Sequence, residues 1–512
     1  MTNVFSFNSQ PNAGKLINSL RHLGYTNYSA IADLVDNSFD ADASSVKIYI
    51  RQRENEPEII IADDGLGMDD SILSQAIRLG SDVEKSDDSD LGKFGMGLCT
   101  ASLSISRETT VLTKTEDGKL LKAINDVDEV IKQNSFVSFF GSPTMEDSIL
   151  FDEMTGNSGH GTVVILRRCD NISNKNLSAL SGKLSKELAR IFRYFLYAGK
   201  RISLNDRALI AIDPLEWDSP DTNRFDESDI EIHIGDVSET IHVKIAVLAD
   251  NNAVGEKEIA STMHAQGFYV MRNNREIMDG VSLGLFTKHN SLNRLRIELA
   301  ITGQLDKLMG INFTKRNVNL EQSLQDKLGQ YFKGQIATIR NRVQRETSTE
   351  TPDDIQDIHS DVSQEIRKKS KLLMTPKAPK ETRESVNQAN KEKDESEATD
   401  KVRSPNPERQ QAGGFTADCE FLSASMTPYG PIYSAEQVGR KIIITYNSDH
   451  AFYSRFILEP GKSDKRLVAG IDYLIYSLAT AELQQNTDDE SIMALLGRFQ
   501  SIMSVNLRTL LS

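Results

Sequence analysis

The chain has 512 residues, 38% hydrophobic and 26% charged, with 74 acidic against 59 basic side chains and a net charge of −15. That composition suits two or three globular domains and opposes a nucleic-acid coat held by bulk positive charge. Its three cysteines, Cys99, Cys169 and Cys419, stand far apart without a C-x-x-C, which suggests neither a disulfide framework nor a zinc site and points to a reducing compartment. The polar start and the lack of any long apolar run give no signal peptide and no membrane span, so a cytoplasmic location is expected.

Residues Ser29 to Ala43 carry apolar side chains at Ile31, Leu34, Val35 and Phe39, the spacing of a helix with one buried face. Asp33, Asp36, Asn37 and Asp40 then fall on its more polar side. Magnesium takes hard oxygen ligands and keeps several waters, so the Asn37 side-chain oxygen together with phosphate oxygens suffices to hold it. Asp33, one turn earlier, is placed to orient or deprotonate an attacking water. The run Ile59-Ile60-Ile61-Ala62 predicts a short buried strand, followed by Asp63-Asp64-Gly65-Leu66-Gly67-Met68. A carboxylate at a strand end accepts the exocyclic amine of a purine, and two glycines let the backbone turn and approach the base. Asp63 is therefore the candidate adenine reader.

The polar, acidic stretch 81–90 has the composition of a mobile loop and precedes Gly92-Lys93-Phe94-Gly95-Met96-Gly97, which leads into the start of a helix at Leu98. Glycine-rich backbone feeding a helix N-terminus cradles anions, because its amides and the helix dipole both favour phosphate. The order G-x-x-G-x-G is neither a Walker A loop nor the dinucleotide fingerprint, and no G-x-x-x-x-G-K-[ST] occurs in the chain. In this order the three segments predict one site for ATP with magnesium, with 81–90 as its lid.

The amphipathic stretch 184–192 and the strand Arg201-Ile202-Ser203-Leu204 close a first unit over residues 1–205, and 206–320 alternates strand and helix patterns as a second. Leu320, Leu324, Leu328, Phe332, Ile336, Ile339 and Val343 recur at helical spacing and predict a connecting helix over 321–346. From 347 to 414 Glu, Lys, Ser, Pro, Asp and Asn dominate, the signature of a flexible charged tether that builds no core. Its basic run Arg367-Lys368-Lys369-Ser370-Lys371 reads as solvated linker charge. Residues 415–512 form a small module with a strand at Lys441–Asn447 and two helices, 467–483 and 491–511, suited to oligomerisation or partner docking. His450 has no accompanying cysteine or serine motif and reads as part of a structural turn.

Asp33 to Ala41, Asp63 to Gly67 and Gly92 to Gly97 resemble the N, G1 and G2 boxes of the GHKL ATPases, the superfamily of the gyrase B subunit, MutL mismatch-repair proteins, heat-shock chaperones, histidine kinases and MORC proteins. Gly161-Thr162-Val163-Val164-Ile165-Leu166 is similar to the strand whose threonine helps hold adenine, here Thr162. Within the superfamily, Leu23-Gly24-Tyr25 and the stretches 30–38 and 91–98 look most like MORC and prokaryotic MORC-like proteins. The resemblance implies an α+β chain: a GHKL (Bergerat) α/β sandwich, a ribosomal-S5-like α/β transducer domain, a disordered linker and a small α+β C-terminal module. Residues 267–277 resemble the transducer's strand-turn-strand, and 311–318 resemble the MutL segment whose lysine reaches the terminal phosphate, which marks Lys315 as a switch residue with a catalytic role. Two departures stand out. Asp33 replaces the superfamily's general-base glutamate, which implies slow hydrolysis, and Cys99 stands where MORC-like proteins often have lysine, leaving Lys93 to compensate.

The implied function is an ATP-gated dimeric clamp. ATP with magnesium orders the lid, draws residues 1–27 across a partner subunit and closes a homodimer, while Lys315 ties closure to the transducer. By analogy the client is double-stranded DNA, in genome maintenance or defence against foreign DNA. The alternative is a nucleotide-switched scaffold with little turnover that recruits an effector protein through its C-terminal module. A chaperone is disfavoured by the likeness of residues around Lys315 to MutL. A histidine kinase is disfavoured because no dimerisation helix with a phosphoacceptor histidine precedes the ATP module.

Overall fold

An unbroken apolar run such as 59–62 suits a strand covered on both faces. The computed structural model describes residues 11–22, 25–80, 97–156, 158–174, 176–235, 237–249, 265–286, 288–310, 320–347, 352–369, 373, 418–426, 428–438, 441–461, 463–484 and 490–511. Its first unit has strands β1 (Ser45–Arg53), β2 (Glu56–Asp63), β3 (Glu108–Lys114), β4 (Leu121–Asp126), β5 (Ser138–Gly141), β6 (Gly161–Arg167), β7 (Arg201–Leu204) and β8 (Arg207–Ala208). They form one sheet in the order β5-β4-β3-β6-β2-β1-β7-β8, so β2 is central. The helices are α1 (Ala13–Leu20), α2 (Asn27–Asp40), α3 (Asp70–Ala76), α4 (Gly97–Ile105), α5 (Val127–Gln133), α6 (Met145–Thr155), α7 (Leu177–Ile191) and α8 (Arg193–Tyr197). Along β2, Ile59 and Ile61 pack with residues of α2, α4 and α7, while Ile60 and Ala62 pack on the opposite face with Phe151 and Met154 of α6. This two-residue period carries Asp63 onto the α2 face.

Helix α2 starts in a capping box, in which Ser29 N–H donates to Thr26 Oγ1 at 3.3 Å and the Ser29 hydroxyl receives the Thr26 N–H at 3.2 Å. The acids on its more polar side are largely buried as well. Asp33 is 6% exposed and Asp36 fully buried, because a second unit covers that side of the helix.

That unit is a sheet of β9 (Asn223–Ile234), β10 (Val237–Val247), β11 (Gly267–Arg272), β12 (Arg275–Val281) and β13 (Leu295–Ile301) in the order β12-β11-β13-β10-β9, with β11 and β13 parallel. The expected alternation of strands and helices over 206–320 is not what the described residues form; apart from the strands they hold turns and short 3₁₀ segments. The covering helix comes later. Leu324, Leu328, Phe332, Ile336, Ile339 and Val343 of α9 (Gln322–Thr347) pack on this sheet, so the predicted connecting helix completes the second unit's core.

The 347–414 tether needs correction at its start. Residues 353–369 form α10 (Asp353–Lys369), and Ile355, Ile358, Val362 and Ile366 are buried with Phe421, Ile444 and Ile475 of the C-terminal module. Four apolar residues on one helical face were diluted by the charged composition around them. The His359 Nδ1 lies 2.8 Å from Asp472 Oδ2, and the Tyr446 hydroxyl donates to Asp472 Oδ1 at 2.8 Å, which pins α10 to the module's core. The module has strands β14 (Asp418–Ala424), β15 (Tyr433–Val438) and β16 (Lys441–Asn447) in the order β14-β16-β15, with long helices Lys465–Gln484 and Glu490–Leu511. His450 is buried and its Nδ1 accepts the Phe452 N–H at 3.1 Å, the structural place expected for it. Residues 374–417 lie outside the described residues.

Candidate nucleotide site

Strand register assembles one end of the site. Asp63 of β2 stands opposite Thr162 of β6, and Thr162 opposite Thr113 of β3, so three polar side chains form a row on the α2 face of the sheet. Asp63 is 7% exposed. Its Oδ1 accepts the amides of Gly65 and Thr162, each at 3.1 Å, and its Oδ2 accepts the Ser38 hydroxyl of α2 at 2.8 Å. Burial is the main cause that raises its carboxyl from 3.8 to about 6, against the pull of those donors. The carboxylate keeps lone pairs for one more donor, as an adenine amine requires. Thr113 Oγ1 accepts the Met68 N–H at 2.9 Å, donates to Gly161 O at 3.1 Å and lies 3.0 Å from Thr162 Oγ1.

The glycines after Asp63 are demanded by close approach. Gly67 has φ +69°, and a Cβ there would lie 2.0 Å from the Lys114 carbonyl oxygen; a Cβ on Gly65 would lie 2.6 Å from that of Ala41. His160 Nδ1 adds a contact to the Gly65 carbonyl at 2.6 Å.

The other end lies between α2 and α4. A Cβ built on Gly97, the first residue of α4, would lie 3.7 Å from Asn37 Oδ1 and 3.8 Å from its Nδ2. The Asn37 amide therefore faces a helix N-terminus, and its Nδ2 is buried without a hydrogen-bond partner among the described residues. An orphaned amide beside the first turn of a helix is a place where phosphate and its hydrated magnesium fit. When bound, the ion would supply charge neutralisation on the phosphates, and Asn37 would be the residue to hold it. Among the described residues no cluster of three or more His, Cys, Asp or Glu side chains is built to hold a metal by itself.

Asp33, one turn before Asn37, is engaged at both oxygens. Oδ1 accepts Arg275 Nη2 at 3.2 Å and Oδ2 accepts the Tyr25 hydroxyl at 2.9 Å. Burial, with Asp33 beside it, holds the Tyr25 hydroxyl well above its ordinary range, so the phenol stays a donor. Cys99 points away from the site: its Sγ lies 2.9 Å from Ile77 O, and burial raises the thiol to about 12.

The structure thus links Asp63, Gly65, Met68 and Thr162 by hydrogen bonds to one another or through Thr113, joins Asp63 to α2 at Ser38, sets Gly67 against Lys114, and places Asn37, one turn after Asp33, against Gly97. Gly92, Lys93, Phe94, Gly95, Met96, Lys315 and the 81–90 lid lie outside the described residues. Ser38, Thr113 and Arg275 were missed. Ser38 sits beside Asn37 and helical phase could have flagged it, whereas Thr113 and Arg275 arrive through strand register and tertiary contact, which leave no local signal.

Residues 25–162 match the family model described as histidine kinase-, DNA gyrase B-, and HSP90-like ATPase. Over 94 residues the chain is 36% identical to ATPase MORC2 of Homo sapiens, a stretch covering 18% of this chain and 9% of that protein. It is 37% identical over 99 residues to ATPase morc-1 of Caenorhabditis elegans, 19% of this chain and 11% of the relative. It is 33% identical over 109 residues to Protein MICRORCHIDIA 3 of Arabidopsis thaliana, 20% of this chain and 18% of the relative. The likeness is thus confined to the ATPase region and spans under a fifth of each of these relatives. Among the described residues no helix is long and apolar enough to cross a membrane.

Proposed function

Starting from residues 25–162 as a GHKL ATPase domain of MORC type, which supports ATP binding, we propose that the chain hydrolyses ATP with magnesium and works as an ATP-gated dimeric clamp on double-stranded DNA. The observation that carries the nucleotide reading is the Asp63–Thr162–Thr113 row joined to α2 at Ser38, with the orphaned amide of the adjacent Asn37 facing Gly97 of α4. Asp63 accepts the adenine amine, with Gly65, Gly67 and Thr162 shaping the base pocket and Met68 tied to Thr113 at its edge. Asn37 holds magnesium against the phosphates, which lie over the amides of Gly97 and of the preceding 92–96 segment, including Lys93. Asp33 directs the attacking water, and Lys315 reports the terminal phosphate to the transducer. ATP shifts the population toward a closed homodimer because it binds that state better. Genome maintenance or defence against foreign DNA is the setting, and the C-terminal module docks an effector.

A second reading, a nucleotide-switched scaffold with little turnover, is favoured by the burial of Asp33 and the capture of both its oxygens by Arg275 and Tyr25. ATP hydrolysis by the purified protein, with and without double-stranded DNA and with Asn37→Ala as the inactive control, separates the two. Turnover raised by DNA supports the clamp; binding without turnover in both conditions supports the scaffold.

A further inference from the structure

The second unit reaches the ATP site through the tip of the β11–β12 hairpin. Asn273 and Asn274, at φ +49° and +66°, make the two-residue turn that reverses the chain, and Arg272 and Arg275 face each other across it. Arg275 is 5% exposed and lies between two carboxylates of α2. Its Nη2 donates to Asp33 Oδ1 at 3.2 Å and its Nε to Asp36 at 3.2 Å. Burial works to lower the guanidinium's pKa, but Asp36 and Asp33 outweigh it and raise the pKa, so the cation is retained.

The next residue anchors the hairpin to the first unit by a separate set of contacts. Glu276 accepts Arg190 Nε at 2.7 Å and also Arg193, while Arg193 Nη2 donates to Glu298 of β13 at 2.7 Å. Glu276, Arg193 and Glu298 are all essentially buried. Arg275 is therefore presented to α2 from a fixed base, with its Nη1 also donating to the Glu276 carbonyl at 3.1 Å, and of its two carboxylate partners one, Asp36, is not the residue that directs water. A small turn of the guanidinium frees Asp33 while Asp36 continues to compensate its charge.

We propose that Arg275 is a positioning residue that holds Asp33 away from the attacking water, so that ATP turnover waits until the hairpin tip lets go of it. This rests on the ATPase reading of the site. With one oxygen on Arg275 and the other on Tyr25 in a buried setting, each Asp33 oxygen is already committed to a protein donor and is turned toward it rather than toward a water. Binding of the nucleotide at Asp63 and Asn37 needs neither bond, so binding and turnover are separable. The second unit then regulates hydrolysis through one side chain.

Arg275→Ala would leave two buried carboxylates without their cation and tests folding as much as turnover. The informative variants are Arg275→Lys, which keeps one charge but not the planar fork that bridges both acids, and the charge-balanced pair Asp36→Asn with Arg275→Gln. Thermal melts establish that both are folded, and kcat and KM for ATP are then measured beside wild type and Asp33→Asn. The proposal expects kcat at least threefold above wild type with KM within twofold, and this gain abolished when Asp33→Asn is added. A folded variant with kcat equal to or below wild type overturns it, and so does a gain that survives Asp33→Asn. If Asp33→Asn abolishes wild-type turnover while the Arg275 variants change nothing, the latch is wrong and the ATPase reading stands. If wild type and variants alike bind no ATP, that reading falls and the latch with it.

Discussion

Replacing Asp63 with asparagine should stabilise the fold and strongly weaken nucleotide binding, and both effects come from one carboxylate. Burial raises its pKa from 3.8 to about 6 despite three protein donors. An acid whose pKa is higher in the folded chain holds its proton longer there than in the unfolded one. Its favourable contribution is present below about pH 4 and is lost as pH rises through about 6; above that, roughly two pKa units make the ionised group cost the fold about 3 kcal/mol. In Asp63→Asn the amide oxygen still accepts from Gly65 and Thr162, and the Ser38 hydroxyl can turn to accept the new N–H, so no hydrogen bond is lost. The variant should gain about 1–3 kcal/mol at pH 7, with the gain gone below about pH 4. Toward adenine, the new N–H confronts another donor. The lost charge-assisted bond, about 1.5–3 kcal/mol, with the unpaired donor, weakens ATP by at least about a hundredfold. Urea unfolding at pH 7 and pH 4 and a titration with ATP measure both effects. Wild-type affinity in Asp63→Asn would refute the adenine assignment, and a large loss of stability at pH 7 would refute the electrostatic argument.

Asn37→Ala should leave the melting temperature within a few degrees, since its Nδ2 has no partner among the described residues, while removing the magnesium dependence of ATP affinity measured with and without EDTA. Thr113→Val keeps shape but strips the Met68 amide of its acceptor, so stability should fall by about 1–3 kcal/mol and ATP affinity with it, read by the same unfolding and titration. Ile358→Ala, at a residue 4% exposed in α10, should cost the C-terminal module about 2–5 kcal/mol in thermal unfolding. If 353–369 were tether, that substitution would change nothing.

The parts of the site that the sequence made legible are those whose chemistry is local. Asn37 and Asp33 share a helix, and Asp63, Gly65 and Gly67 follow one strand end, so spacing alone brought them together. Thr113 and Thr162 reach Asp63 only through the register of β3, β6 and β2, and Thr162 was found by resemblance rather than by spacing. Arg275 is 242 positions from Asp33, and no periodicity links them. The same limit governs the fold. The apolar stripe of α9 was plain because its residues recur over six turns of helix, whereas the stripe of α10 was hidden by the charges of 347–414 that surround it. The burial of the polar side of α2 was not legible either, because a helix read alone carries no sign of the sheet that covers it.

The claim on which the rest depends is that ATP closes two copies of this chain. Light scattering of the 512-residue chain with magnesium and a non-hydrolysable ATP analogue, beside Asn37→Ala, tests it directly. The account predicts a doubling of mass in the wild type that Asn37→Ala abolishes. An analogue that binds with wild-type affinity and leaves the mass unchanged would contradict the clamp.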